Sequence, residues 1–226
     1  KAFAEFRDGA WKDPSATMMG TEQESWLFHQ FARQKATWTV FGSGTNMGYN
    51  YTPEEAMNWF GNDVPDFRKN YARQGIAAGK AGLPYNLDNW GGYPQARSRI
   101  LAAAQKNDLD LVVVTGDSHN AWAFDLPEGG RPAGVEFGGH SVSSPGLESA
   151  TMGVDPKRIA RDILDHNKQE LRWVDTSNRG YMHLSMTPKA ATNEWVFMDT
   201  IRDVSLKTKA SQRMTVRPGR KILEPA

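Results

Sequence analysis

Hydrophobic positions change their spacing several times along the chain, and the changes divide it into predicted elements. The most compact is Leu111-Val112-Val113-Val114, a short apolar run dominated by β-branched residues and bounded by Asp110 and by Thr115-Gly116. Its length and composition predict a strand buried on both faces, as in the centre of an α/β layer. Alternation over Ala36–Gly42 predicts an earlier strand, and Ala121–Leu126 and Gly134–Phe137 predict two more, joined by a turn at Pro127–Pro132. Further on, Gly180–Met186 and Asn193–Ile201 alternate apolar with polar and read as an antiparallel hairpin joined through Thr187–Thr192, in which His183 shares a face with Tyr181 and Ser185.

Helical spacing occupies the stretches between. Thr21 and Glu24 suggest a capping box, followed by a stripe of Trp26, Leu27, Gln30 and Phe31, with His29 off that stripe. Thr52-Pro53-Glu54-Glu55 begins a short helix that closes near Gly61, and Phe67–Gly75 predicts another. Gly75–Tyr85 is rich in Gly and Ala and reads as a loop, as does the lead-in Lys1–Asp13. Pro94 suits the first turn of a helix running to about Lys106 that faces Ile100, Leu101 and Ala104 to the core. Asp155 and Pro156 open a final amphipathic helix drawn over Val154–Arg172, with Ile159, Ile163, Leu164 and Leu171 as its stripe and His166 solvated. The expected division is one globular unit over 1–204 and a solvated basic tail over 205–226.

Composition narrows the class. At 226 residues, with 39% hydrophobic and 23% charged residues, the chain can build one sizeable core. A formal net charge of +1 gives no nucleic-acid-binding signal, and zero cysteines exclude disulfides and thiolate ligands within the chain. No run of about 18 apolar residues is present, so no transmembrane segment is predicted. The start at Lys1-Ala2-Phe3 has neither an initiator Met nor a signal-peptide core and reads as processed or cleaved. No phosphate-binding P-loop, dinucleotide fingerprint, Gly-x-Ser-x-Gly elbow or H-E-x-x-H occurs.

The candidate chemistry sits just after the central apolar strand. Gly116 permits a sharp turn, and Asp117 and His119 follow it two residues apart, at the strand end where α/β proteins place ligands. A carboxylate oxygen and a neutral imidazole nitrogen suit a hard or borderline cation, and one Asp-x-His can serve two adjacent metals.

Three stretches in order, TMMGTEQESWLFHQFARQKATWTVFG, DNWGGYPQARSRI and VVVTGDSHNAWAFDL followed by GVEFGGHSVSSPG, resemble the alkaline phosphatase D family, a branch of the calcineurin-like metallophosphoesterases. The resemblance runs from about Asp13 to Ile201 and covers only the later part of the family pattern. It implies part of an α/β four-layer αββα sandwich, completed by a missing N-terminal half or second chain. It also implies metal-dependent hydrolysis of a phosphate ester, monoester or diester, with Asp117 and His119 on different metals. Iron and calcium are the implied pair, calcium on the hard oxygen of Asp117 and iron on His119; the same donors also admit zinc or manganese. Export to the periplasm or medium is implied in the same way.

Within the resemblance, Asp88, Trp90, Gly92, Tyr93, Pro94 and Arg97 match D-x-W-D-G-Y-P-x-x-R, and Gly91 replaces an acidic residue. Trp90 and Tyr93 are candidates to line a substrate pocket, and the planar fork of Arg97 suits a phosphate oxygen; the structural alternative pairs Arg97 with Asp88. Ser43 and Gly44 stand where the branch commonly carries Asn-Gln, so Ser43 or Asn46 would have to reach the site from that loop. His140 is a candidate for substrate contact or for a buried structural role. These departures leave a second reading, a catalytically degenerate binding or regulatory subunit of the same fold, and a third, a structural partner whose aromatic surface is an interface.

Overall fold

The computed structural model describes residues 1–61 and 63–226. Its strands are β1 (Thr39–Gly42), β2 (Leu111–Thr115), β3 (Ala121–Glu128), β4 (Arg131–Gly138), β5 (Leu171–Asp175), β6 (Gly180–Thr187), β7 (Ala190–Met198), β8 (Thr208–Val216) and β9 (Glu224–Pro225). The α-helices are α1 (Ala2–Asp8), α2 (Thr21–Arg33), α3 (Asp66–Lys80), α4 (Pro94–Lys106), α5 (Leu147–Thr151) and α6 (Pro156–His166).

Two sheets form. The first runs β1-β2-β4-β3-β5, with β1, β2 and β4 parallel and β3 antiparallel to both β4 and β5. The second is the antiparallel meander β6-β7-β8-β9. β2 accounts for its own composition: Leu111 and Val113 face the helices, while Val112 and Val114 face the second sheet. A strand with apolar neighbours on both sides cannot alternate in polarity. On the helical side α2, α4 and α6 contribute Leu27, Phe31, Ile100, Leu101, Ala104, Ile159 and Ile163, packed on Trp122, Phe124 and Leu126. Between the sheets, Val135 and Phe137 meet Trp195, Phe197, Met214 and Val216. Trp173 of β5 stacks at a tilt on Trp195, with ring centroids 4.7 Å apart, and the Trp195 indole donates to the Gly138 carbonyl at 2.8 Å. The layers are therefore helix, sheet and sheet; Tyr181, His183 and Ser185 of β6 stand exposed on the outer face of the last.

Several predicted boundaries move. Lys1–Asp13 carries α1 and a 3₁₀ turn at Ala10–Lys12 instead of an irregular lead-in. Gly20, at φ 84°, takes the N-cap position of α2 in place of Thr21, and Glu24 is turned inward to bind Arg99 at 2.5 Å and Thr17 at 2.9 Å. Trp26 is exposed, so the buried stripe of α2 is Leu27 and Phe31. The Gly75–Tyr85 loop gives way to helix as far as Lys80, because Gly75 and Gly79 let α3 lie close against Thr52. The Pro127–Pro132 turn contracts to Gly129-Gly130, whose φ values of 56° and 74° fit a tight hairpin between β3 and β4.

The helix drawn to Arg172 stops at His166. Asn167 ends it by bonding both backbone polar groups of Tyr51: its Oδ1 accepts from the Tyr51 N–H at 2.7 Å and its Nδ2 donates to the Tyr51 carbonyl at 3.0 Å. Leu171 thus begins β5. The presumed solvated tail supplies β8 and β9, with Met214, Val216 and Leu223 buried against the first sheet. By contrast, α4 begins at Pro94 and ends at Lys106, with Ile100, Leu101 and Ala104 fully buried.

Because Ile100 lies in the middle of the helix-side core, Ile100→Ala is expected to lower unfolding stability by about 2–5 kcal/mol, transfer and cavity costs together. Urea titration followed by tryptophan fluorescence measures this.

Candidate functional site

Parallel pairing brings the carboxyl ends of β1, β2 and β4 to one edge of the first sheet. Three connections leave from there: Ser43–Gly48 after β1, Gly116–Asn120 after β2 and Gly139–Ser141 after β4. Backbone bonds tie them to the strands, Ser43 N–H to the Val114 carbonyl at 3.0 Å and Gly139 N–H to the Thr115 carbonyl at 2.8 Å.

The turn after β2 is tightly cinched. The Trp122 indole donates to Ser118 Oγ at 2.6 Å, Asn120 Nδ2 donates to the Ser118 carbonyl at 2.7 Å, and Asn120 Oδ1 accepts from the Leu147 N–H at 3.1 Å. Asp117 and His119 both adopt left-handed backbone conformations, φ 65° and 60°, which residues other than glycine seldom take. Both side chains are exposed. His119 Nδ1 lies 2.9 Å from the Pro145 carbonyl. A carbonyl only accepts, so in the neutral ring Nδ1 carries the proton and Nε2 is left with a free lone pair. The Pro145 carbonyl is itself held from behind: buried Arg179 binds the Ser144 carbonyl at 2.5 Å and pairs with Glu148, and a Cβ on Gly146 would lie 2.7 Å from both Arg179 and Asn120.

The loop after β1 is fixed by one carboxylate. Glu136, on the helix-facing side of β4 and fully buried, accepts from Asn46 Nδ2 at 2.7 Å, Thr115 Oγ1 at 2.6 Å, and the N–H groups of Met47 and Gly48 at 3.0 and 2.6 Å. Burial pushes its pKa above the ordinary value of 4.5 even though all four bonds favour the charged form. Next to it, Arg97 Nη2 donates to both carboxylate oxygens of Glu170, at 2.9 and 2.8 Å, while Nε donates to the Met47 carbonyl at 2.8 Å and the guanidinium lies over the Tyr49 ring, 4.0 Å from its centroid.

A cleft of about 570 Å³ opens beside these loops. Asn46, Asp117, Ser118 and Asn120 form part of its wall; Tyr51, Trp59, Phe60, Phe67, Tyr71 and Tyr85 form much of the remainder. Asn46 and Asp117 therefore meet in one cavity, with His119 on the same turn as Asp117. The other sequence candidates lie elsewhere. Trp90 is buried, edge-on to Phe41, and its indole donates to Ser43 Oγ at 2.9 Å, so Ser43 is engaged too. Tyr93 precedes α4 and packs on the helix-side core. Arg97, read as a phosphate contact, is 4% exposed and committed to Glu170, while Asp88, its expected partner, is exposed. His140 is buried between the sheets, edge-on to Phe197, with Nε2 3.3 Å from the Val196 carbonyl; burial lowers its pKa. Glu136, Glu170, Arg179 and the aromatic wall went unnoticed, because their partners are remote in sequence.

As metal donors, Asp117 and the free Nε2 of His119 fit a hard and a borderline cation. No group of three or more His, Cys, Asp or Glu that could hold a metal occurs among the described residues, so this chain offers a pair of donors and not a closed set.

The sequence profile of the PhoD-like phosphatases matches residues 3–195. The chain belongs to that family. It is 26% identical over 213 residues to the alkaline phosphatase D of Bacillus subtilis (strain 168), an alignment that takes in 88% of this chain and 30% of that protein. It also superposes on a solved structure titled "Structure of PhoD" with a TM-score of 0.68 at 20% identity, over 95% of this chain and 36% of that one. The fold expected from the sequence, part of an αββα sandwich, agrees with this likeness in its two sheets and helices, and the chain spans about a third of the length of the proteins it matches.

Removing the acceptor at Glu136 leaves four donors buried, so Glu136→Ala is expected to cost about 3–5 kcal/mol. Glu136→Gln folds, since a flipped Asn46 amide can accept from the new NH2 group. The raised pKa also fixes a sign. Stability contributed by this group is complete below the ordinary value of 4.5 and declines as pH rises through the higher folded value. Urea midpoints measured across that range should fall less steeply in Glu136→Gln than in the parent.

Proposed function

We propose that this chain is the C-terminal part of a metal-dependent phosphoric ester hydrolase of the alkaline phosphatase and phosphodiesterase type. The observation that carries this reading is the turn after β2, where two left-handed residues present a carboxylate and an imidazole whose Nδ1 is held by the Pro145 carbonyl. Backbone strain of this kind costs on the order of 1–3 kcal/mol per residue and persists where the surroundings enforce it, which Ser118, Asn120, Trp122 and the Arg179-braced loop do here.

Asp117 and His119 would hold cations, calcium on the carboxylate and iron on the imidazole, with zinc or manganese as alternatives. When bound, such a cluster supplies neutralisation of phosphoryl charge and activation of water. The chain's own residues bind and orient. Asp117 and His119 would hold the cations at the sheet edge, the Pro145 carbonyl holds the imidazole tautomer, and Asn46, oriented by Glu136, presents a polar group to the same cleft. The remaining ligands would come from the N-terminal half of the same enzyme, present as a preceding segment or as a second chain. Support for such a partner lies in the two-donor site and in the half-exposed Val40 of edge strand β1. Export to the periplasm or medium belongs to the same reading.

Turnover of bis(4-nitrophenyl) phosphate by the complete protein should fall by about 10²-fold or more in both Asp117→Ala and His119→Ala, as expected when groups that stabilise transition-state charge are removed. Elemental analysis should show the loss of one metal in each variant, and of a different one. Full metal content and unchanged turnover in both variants would sink the assignment. A metal-free, inactive parent would favour the degenerate binding subunit.

A further inference from the structure

The cleft beside Asp117 holds more apolar surface than binding a phosphoryl group needs. Its volume of about 570 Å³ falls in the range of small-molecule pockets, and the polar wall of Asn46, Asp117 and Asn120 takes up only part of it. Much of the rest is aromatic, and the rings fall into two groups. Trp59 is buried and anchored by its indole to Asp162 at 2.9 Å, a structural role. Phe67 and Tyr71, one turn apart on α3, and Tyr85 line the cavity while remaining 58%, 69% and 58% exposed. The core does not require the two rings on α3, where Ala72 is the buried residue, and Tyr85 lies beyond that helix with its ring exposed. Aromatic side chains left in water around a concave site favour an apolar guest, which would take them out of solvent. The polar groups among the rings are committed elsewhere. Tyr51 keeps its proton, its pKa pushed up to about 12 by burial and by Tyr49, and the Arg68 guanidinium is bonded to the Ser149 carbonyl at 2.6 Å.

We propose that Phe67, Tyr71 and Tyr85 form a specificity pocket for the organic arm of the substrate, selecting phosphate esters whose arm is bulky and apolar, alkyl or aryl. The proposal rests on the hydrolase reading for the orientation of the ligand, with phosphate toward Asp117 and the arm toward α3. Binding of the arm itself does not depend on metal. The pocket is continuous with the wall that carries Asp117, so an ester held there places its arm on the rings without leaving the cleft.

The test is calorimetric titration of the complete protein with methylphosphonate, hexylphosphonate, phenylphosphonate and 1-hexanol. Hexylphosphonate is expected to bind at least about tenfold more tightly than methylphosphonate, since each buried methylene contributes about fourfold. Comparison of the hexyl and phenyl ligands tells an alkyl-selective wall from an aryl-selective one. Phe67→Ala and Tyr71→Ala, at exposed positions that the fold tolerates, should each remove most of that gain with urea midpoints unchanged. Should 1-hexanol bind while added phosphonate gives no benefit, the pocket stands and the hydrolase reading is the part in trouble. Equal affinity for the methyl and hexyl ligands, no binding of any of the four, or indifference to both substitutions would overturn the proposal.

Discussion

A carboxylate taken wholly out of water needs its acceptor positions filled, and Glu136 meets that demand by drawing in four donors from two other segments. Asn46, Met47 and Gly48 come from the loop after β1, and Thr115 from the last position of β2. The sheet holds β4 in place, so it is the loop that must conform. Gly48 is then pressed against the Phe124 ring, where a Cβ would come within 2.3 Å. Arg97 and Glu170 extend the constraint outward: the guanidinium takes the Met47 carbonyl, and Glu170 takes the Tyr49 N–H at 2.8 Å. Single ion pairs at a surface contribute little, but here the pair is buried and shares its loop with a second buried carboxylate. Loss of any partner exposes the others to an uncompensated desolvation cost.

That network determines which candidate residues are free for chemistry. Arg97 has the right functional group for a phosphate, and residue type alone made it a reasonable contact. Its environment removes it, because the guanidinium is buried against Glu170, the Met47 carbonyl and the Tyr49 ring, away from the cleft wall. Ser43 is occupied in a similar way by Trp90 and the Thr45 carbonyl. Asp117 and His119 differ in being held through their backbone and, for the histidine, through one ring nitrogen. The reactive atoms face solvent.

The pattern of what was readable in the sequence follows the range of the forces involved. β2 announced itself because both its faces are buried, and α4 because Pro94 marks its first turn and its core positions recur at helical spacing. The Gly-Asp-x-His turn was visible as chemistry placed after a buried strand. Features set by remote partners were not. The end of α6 depends on Asn167 reaching Tyr51, and β5 exists because β3 is there to pair with it. The segment after Ser205 looked like a solvated basic tail because its charges mask Met214, Val216 and Leu223, which only the first sheet could reveal as core. The aromatic wall of the cleft was missed for the same reason: Tyr51, Trp59, Phe67, Tyr71 and Tyr85 follow no common period and converge only in three dimensions.

The two sides of the cleft differ in how firmly they are held, and that difference matches what each would have to do. Chemistry at a phosphorus centre is intolerant of misplacement, since small displacements of an orienting group cost large factors in rate. The polar wall meets this need: Asn46 is anchored to Glu136, and the turn bearing Asp117 is closed by two hydrogen bonds within a few residues and tied to Leu147 by a third. Recognition of an apolar arm is non-directional and scales with area removed from water, so it tolerates adjustment. The rings on α3 fit that looser role, because their exposed positions let them re-pack around arms of different shape without disturbing the core. A rigid polar wall joined to a compliant aromatic one therefore allows breadth in the arm without loss of precision at the reacting group.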